Sequence, residues 1–228
     1  MMPFFYDPTF ILLIPAVILA IWAQVKVKST FAKFEKVQAG RGMTGAEVAQ
    51  RLLGDAGLGN VQIEEIQGKL SDHYDPRTRV LRLSAPISRG RSVAALGVAA
   101  HEVGHAIQHE KAYAPFEIRQ SIVPVASFGS TLAFPLFFIG ILFSAPKLMD
   151  IGIVFFSAAV VFQVVTLPVE FNASSRALAL LDSRGYLVGE EVGQAKKVLS
   201  AAALTYVAAT AMAVLELVRL LILRQSRD

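Results

Sequence analysis

Two imidazoles and a carboxylate stand close together at His101-Glu-Val-Gly-His105. On an α-helix, residues four apart share a face, so His101 and His105 project side by side toward one point. Imidazoles so placed can each give one nitrogen to a divalent cation, at about 2.0–2.1 Å if the ion is zinc. Glu102 lies one position round the helix, beside that point, where its carboxylate can take a proton from a water held there. Metal-assisted hydrolysis is the chemistry this spacing supports. A surface helix spelling the pattern by chance is the alternative, and two of the chain's four histidines fall inside it.

Positioning that helix is the task of the remaining sequence, and most of it is apolar. The 228 residues are 54% hydrophobic and 18% charged, with a mean hydropathy of +0.51, too apolar for an ordinary soluble domain. Phe10 to Ala23 is almost unbroken apolar sequence, and Ile122 to Phe143 and Ile151 to Val169 each run without a charge. Runs of about 20 residues match about 30 Å of hydrocarbon. Ala201 to Leu223 is a fourth block, interrupted by Glu216 and Arg219. The expectation is a mainly α, polytopic membrane protein with about four transmembrane helices and, around the metal motif, a small α+β zincin-like domain at its cytoplasmic face. It divides into an anchor over 8–24, a cytoplasmic subdomain over 25–121, a transmembrane hairpin over 122–169, a cytoplasmic segment over 170–200 and a last span over 201–224.

The first block lacks a basic residue before it and a small-residue cleavage site after it, which favours a retained anchor over a secretory signal. Lys26, Lys28, Lys33 and Lys36 crowd its exit. By the positive-inside rule they place the N-terminus outside and residues 24–121 in the cytoplasm. Such a juxtamembrane cluster orients a helix and touches anionic lipid, so no nucleic-acid partner is expected. Arg224 and Arg227 conflict with this topology if the last block spans fully.

Within the polar segment, Thr44-Gly-Ala-Glu47 reads as a capping box ahead of Val48, Leu52 and Leu53, and Gly54, Gly57 and Gly59 end that helix. Val61 to Ile66 and Thr78 to Leu83 alternate in polarity around the turn at Asp75-Pro76, predicting a β-hairpin. Ser92 caps a helix running through the motif to about His109, narrowed by Ala99, Ala100 and Gly104. Gly185 ends another helix, and Glu190 to Leu223 reads as one long one.

A catalytic zinc needs a third protein ligand and an open position. With no cysteine in the chain, thiolates are excluded, along with disulfides and thiol nucleophiles. One class of zinc enzymes places a third His six residues past the second, where this chain has Lys111. Another takes a Glu from a later helix. The second and third spans form a hairpin, so the residue after the third emerges on the side carrying His101 and His105, and that residue is Glu170.

The stretch Leu167-Pro-Val-Glu-Phe-Asn-Ala-Ser-Ser-Arg-Ala177 resembles the glutamate helix of the gluzincin membrane proteases, matching at Glu170, Phe171 and Ala173. That family usually has Asp where this chain has Ser174. The resemblance implies that Ser174, or Asn172 nearby, orients a metal-bound His in its place. Together with Ala100-His-Glu-Val-Gly-His-Ala-Ile-Gln-His109, the Ser71-Asp-His-Tyr-Asp-Pro-Arg-Thr segment and Ala202 to Ala208, it makes the chain similar to the YugP-type family of bacterial membrane zinc metallopeptidases. The likeness implies a neutral zinc peptidase with one Zn2+ held by His101, His105 and Glu170, and Glu102 as general base.

Other residues carry weaker expectations. His109 caps its helix or donates a hydrogen bond in the transition state; Arg176 and Asp182 contact the site or form surface ion pairs. His73 and Tyr74 form a lip over the cleft or a plain turn. The strand carrying Arg79, Val80, Leu81 and Arg82 is a candidate edge for an extended peptide. Expected partners are a peptide or protein substrate, the bilayer and further membrane proteins. Competing functions are a zinc hydrolase of lipids or other amides, a scaffold whose zinc is closed by a fourth ligand such as Asp182 or His109, and a transporter built around Glu216 and Arg219.

Overall fold

A computed structural model describes residues 8–68 and 71–226. The opening seven residues and Arg227 lie outside the described residues. After a 3-10 turn at Pro8–Leu13 come α1 (Ile14–Phe34), α2 (Gly45–Asp55), β1 (Gln62–Ile66), β2 (His73–Asp75) and β3 (Val80–Ser84). The chain continues as α3 (Ala85–Ser88), α4 (Val93–Glu110), α5 (Ala114–Leu142), α6 (Pro146–Ser183) and α7 (Glu190–Gln225). The protein is mainly helical, and four helical stretches, Pro8–Phe34, Ala114–Leu142, Pro146–Ser183 and Glu190–Gln225, are long and apolar enough to cross a membrane. With their polar flanks these make a multi-pass membrane protein.

Two compact units divide the chain. One combines residues 1–23, 118–167 and 205–228; the other combines residues 24–117 and 168–204. In the first, α5 and α6 approach through small residues: a Cβ on Gly152 would meet the Ala133 carbonyl oxygen at 2.7 Å, and one on Gly129 that of Phe155 at 2.8 Å. Without a hydrophobic drive between helices in lipid, such close backbone approach supplies the van der Waals contact that holds them. Phe137, Met149 and Leu220 are buried alongside. Glu216 and Arg219 pair with each other at 2.7 Å, as their i,i+3 spacing suggests, and the Arg219 guanidinium also covers the Phe10 ring.

The second unit is built on α2, α4 and the sheet. Thr44 accepts from the Glu47 amide while Glu47 Oε2 accepts from the Thr44 amide at 2.8 Å, closing the capping box. The apolar face of α2, at Val48, Leu52 and Leu53, meets Leu81 and Leu83 of β3, Leu96 and Val103 of α4, and Leu181 of α6 in one core. Each such buried leucine or valine contributes about 1.5–3 kcal/mol. Ser92 caps α4 by accepting from the Ala95 amide, and Gly185, at φ +62°, lets the chain turn after α6.

The sheet corrects the expected hairpin. Its order is β1-β3-β2: β1 runs parallel to β3, and the antiparallel hairpin is β2–β3. The turn at Asp75-Pro76 is right, since Asp75 accepts from the Arg77 amide and the Thr78 hydroxyl, but the strand before it is only three residues long. Because β3 is paired on both sides, Arg79, Val80, Leu81 and Arg82 offer no free edge to a peptide. Arg79 lies in the turn at φ 55°, Val80 and Leu81 are core residues, and Arg82 pairs with Glu64 and Asp75. That guanidinium, with Thr78, holds the Asp75 carboxyl down to about 2.

Candidate metal centre

α4 carries His101, Glu102 and His105 into the second unit, and the part of α6 beyond Pro168 carries Glu170 against it. What allows this approach is Gly104. A Cβ there would lie 2.7 Å from the Ala173 carbonyl oxygen and 3.1 Å from its Cα. The glycine between the two histidines is thus the point at which the two helices touch.

His101, His105 and Glu170 each bring one ligand atom to within 4.8 Å of the others, and among the described residues they alone form such a group. His101 Nε2 lies 3.2 Å from Glu170 Oε2, and His105 Nε2 lies 3.6 Å from the same oxygen. Two atoms each bonded to a tetrahedral zinc at about 2.0–2.1 Å are about 3.4 Å apart. The observed separations fit that ion, and two nitrogens with one carboxylate are ligand types it takes. Neither His109 nor Asp182 belongs to the group, so among the described residues no fourth His or carboxylate closes it.

The far side of each imidazole is also engaged. His101 Nδ1 lies 3.1 Å from Ser174 Oγ, the position at which the family resemblance places an orienting group. His105 Nδ1 lies 3.0 Å from Gln108 Oε1. The Gln108 amide nitrogen donates to the Val169 carbonyl at 2.8 Å and to Asn172 Oδ1 at 3.0 Å. Those two acceptors assign the amide's orientation, so Oε1 must accept a proton from His105 Nδ1. With its Nδ1 proton given to Gln108, His105 presents Nε2 on the side of Glu170, the nitrogen with which it would coordinate a metal. Asn172 does not reach a histidine; it accepts from Gln108 and from Arg176 Nε at 2.7 Å, while the Arg176 guanidinium covers Tyr113.

Glu102 is buried, and its Oε2 accepts from the Tyr74 amide at 3.0 Å. Burial pushes its carboxyl up to about 7, against the opposing pull of His101. The same Tyr74 places its hydroxyl 3.0 Å from His109 Nδ1, and the rings of His105 and His109 both pack near Phe116. Tyr74 is thus a wall of the site rather than a plain turn residue. His73 is exposed and its ring lies beside the Ser71 carbonyl.

Sequence reasoning missed Gln108 and the backbone role of Tyr74. For Gln108 a signal was present: a polar residue three positions past His105 and seven past His101, on the helix face that carries both histidines. The amide of Tyr74 carries no signal in the sequence.

A model of the protein family described as "Putative neutral zinc metallopeptidase" matches residues 9–225. Among curated proteins, the chain is similar to the "Putative membrane protease YugP" of Bacillus subtilis (strain 168). The two are 51% identical over 218 residues, covering 95% of this chain and 97% of the relative. No solved structure matches.

Proposed function

The chain belongs to this neutral zinc metallopeptidase family, and on that premise we propose that it is a membrane-embedded zinc endopeptidase of gluzincin type. It cleaves peptide bonds of membrane or membrane-associated proteins. One observation carries the reading: two imidazoles and a carboxylate spaced for a tetrahedral cation, with no fourth His or carboxylate among the described residues, beside a buried glutamate outside that group.

His101, His105 and Glu170 would hold the ion, with Ser174 and Gln108 fixing the two rings. When bound there, zinc supplies Lewis acidity, polarising a carbonyl oxygen and lowering the pKa of water toward about 7. Glu102 takes the proton of the attacking water and returns it to the departing amine. Burial raises this carboxyl in the metal-free protein, and an ion beside it would pull it back down, two opposed effects that keep both protonation states within reach of one proton transfer cycle. The Tyr74 amide occupies Oε2, which leaves Oε1 for the proton. His109 and the Tyr74 hydroxyl supply hydrogen bonding to charge developing on the carbonyl oxygen.

Of the edge strand β2, the outward N–H of Tyr74 is held by Glu102, so the Tyr74 carbonyl is the backbone group that the strand offers to an extended substrate. The lysines after the first apolar run favour a cytoplasmic face for the residue 24–117 and 168–204 unit, in a bacterial cell membrane.

The test is cleavage of a fluorogenic casein by purified full-length protein in nanodiscs, with zinc added or chelated. Glu102→Gln is expected to lower turnover by about 10²–10⁴ while keeping its zinc. Full zinc-dependent cleavage by that variant would overturn the proposal.

A further inference from the structure

Away from the metal centre, the second unit holds a cavity of about 760 Å³ between the end of α1 and the start of α7. That is within the size range of small-molecule sites, about 300–1,000 Å³. We propose that this cavity is a binding site for one anionic phospholipid, its phosphate held by Lys26, Lys33, Lys196 and Lys197.

Spacing on both helices supports it. Lys26, Ser29, Thr30 and Lys33 are at i, i+3, i+4 and i+7, so α1 turns one polar face into the cavity. From α7, Lys197, Ala201 and Leu204 line it at i, i+4 and i+7, a face that is cationic at its start and apolar beyond, with Lys196 and Ser200 beside them. Four ammonium groups and three hydroxyls are brought together, and no Asp or Glu is among the lining residues. Four like charges around one space repel each other until an anion enters. The Thr30 and Ser200 hydroxyls can donate to phosphate oxygens in addition, while that of Ser29 donates to the Lys26 carbonyl at 3.1 Å.

The apolar part of the lining selects a lipid over a soluble anion. Phe34, packed with Val198 and Ala94, closes one end, and Ala201 and Leu204 lead from the lysines into the apolar stretch of α7. On α1 the lysines likewise follow directly on the apolar run that ends near Ala23. Both helices therefore change from hydrocarbon-compatible to cationic at the cavity, the depth at which a phospholipid carries its phosphate.

Native mass spectrometry of full-length protein tests this, with phosphatidylglycerol or phosphatidylcholine of the same acyl chains added. One phosphatidylglycerol per chain is expected to bind, and phosphatidylcholine to bind more weakly. Each interfacial lysine contributes about a factor of five, so Lys33→Gln with Lys197→Gln should weaken phosphatidylglycerol binding about 25-fold. Lys28→Gln with Lys36→Gln removes the same charge from residues that do not line the cavity, and should change binding less than twofold. Equal losses in the two pairs, no loss in either, or equal binding of the two lipids would overturn the proposal. Displacement of the lipid by millimolar glycerol phosphate would also overturn it, by making a soluble anion the ligand.

Discussion

Gln108 should set the zinc affinity of this protein without touching the ion, and two substitutions separate that role from a structural one. Gln108→Leu keeps most of the volume but removes the acceptor for His105 Nδ1 and the donor to Val169 and Asn172. Loss of a partner orienting a metal-bound histidine costs about 10–100-fold in metal affinity, equivalent to about 1.4–2.8 kcal/mol. Gln108→Glu keeps an oxygen for His105 Nδ1 but offers the Val169 carbonyl no N–H, and a buried acceptor left unpaired costs about 1–3 kcal/mol of stability. Zinc affinity, read by competition with a chromogenic chelator, should therefore fall for the leucine variant and hold within about threefold for the glutamate variant. Thermal stability should fall for both. Glu170→Ala, which removes the proposed third ligand, should set the lower bound for affinity. If the leucine variant binds zinc as tightly as the parent, the orienting role is wrong. If the glutamate variant loses as much affinity as the leucine variant, the effect is one of packing.

In metal-free protein, Glu102 has its carboxyl raised from an ordinary 4.5 to about 7 by burial. The folded state then binds that proton more tightly than the unfolded state, so stability is greatest at low pH and declines as pH rises from about 4.5 to 7, by about 3 kcal/mol in all. Chelated Glu102→Gln should lack this decline; parallel pH profiles for the two proteins, measured by denaturant unfolding, would contradict it. Gly104→Ala places a methyl 2.7 Å from the Ala173 carbonyl oxygen. Forcing α4 from α6 should cost about 1–3 kcal/mol and lower zinc content as Glu170 is displaced; an unchanged melting temperature and metal stoichiometry would refute that contact.

The features legible in the sequence were those with short-range causes. The capping box at Thr44 and Glu47 and the cap at Ser92 act within four residues, so their composition predicts them. The four apolar stretches follow from length and hydropathy alone. The parallel pairing of β1 with β3 was not legible, because the three-residue strand β2 is too brief for alternation to register and the crossover leaves no turn signature. That error propagated to the substrate strand: a central strand and an edge strand share the same alternating pattern, and only the pairing distinguishes them. Gln108 eluded the sequence for another reason. Its acceptors on Val169 and Asn172 lie 61 and 64 residues away, so its burial, unlike its identity, is a tertiary fact.

Glu170 follows His101 by 69 positions, and α5 and most of α6 are made between them. At about 5–20 residues per second, a ribosome needs about 3–14 s to deliver the carboxylate after the first imidazole. For that interval the nascent chain owns two of the three proposed ligands, which is too few for a catalytic ion. On that reading, hydrolytic power would arise only once α5 is made and α6 has folded past Pro168. A chain stalled or truncated before Glu170 would stay inert, and maturation would be timed by the chain's own biogenesis.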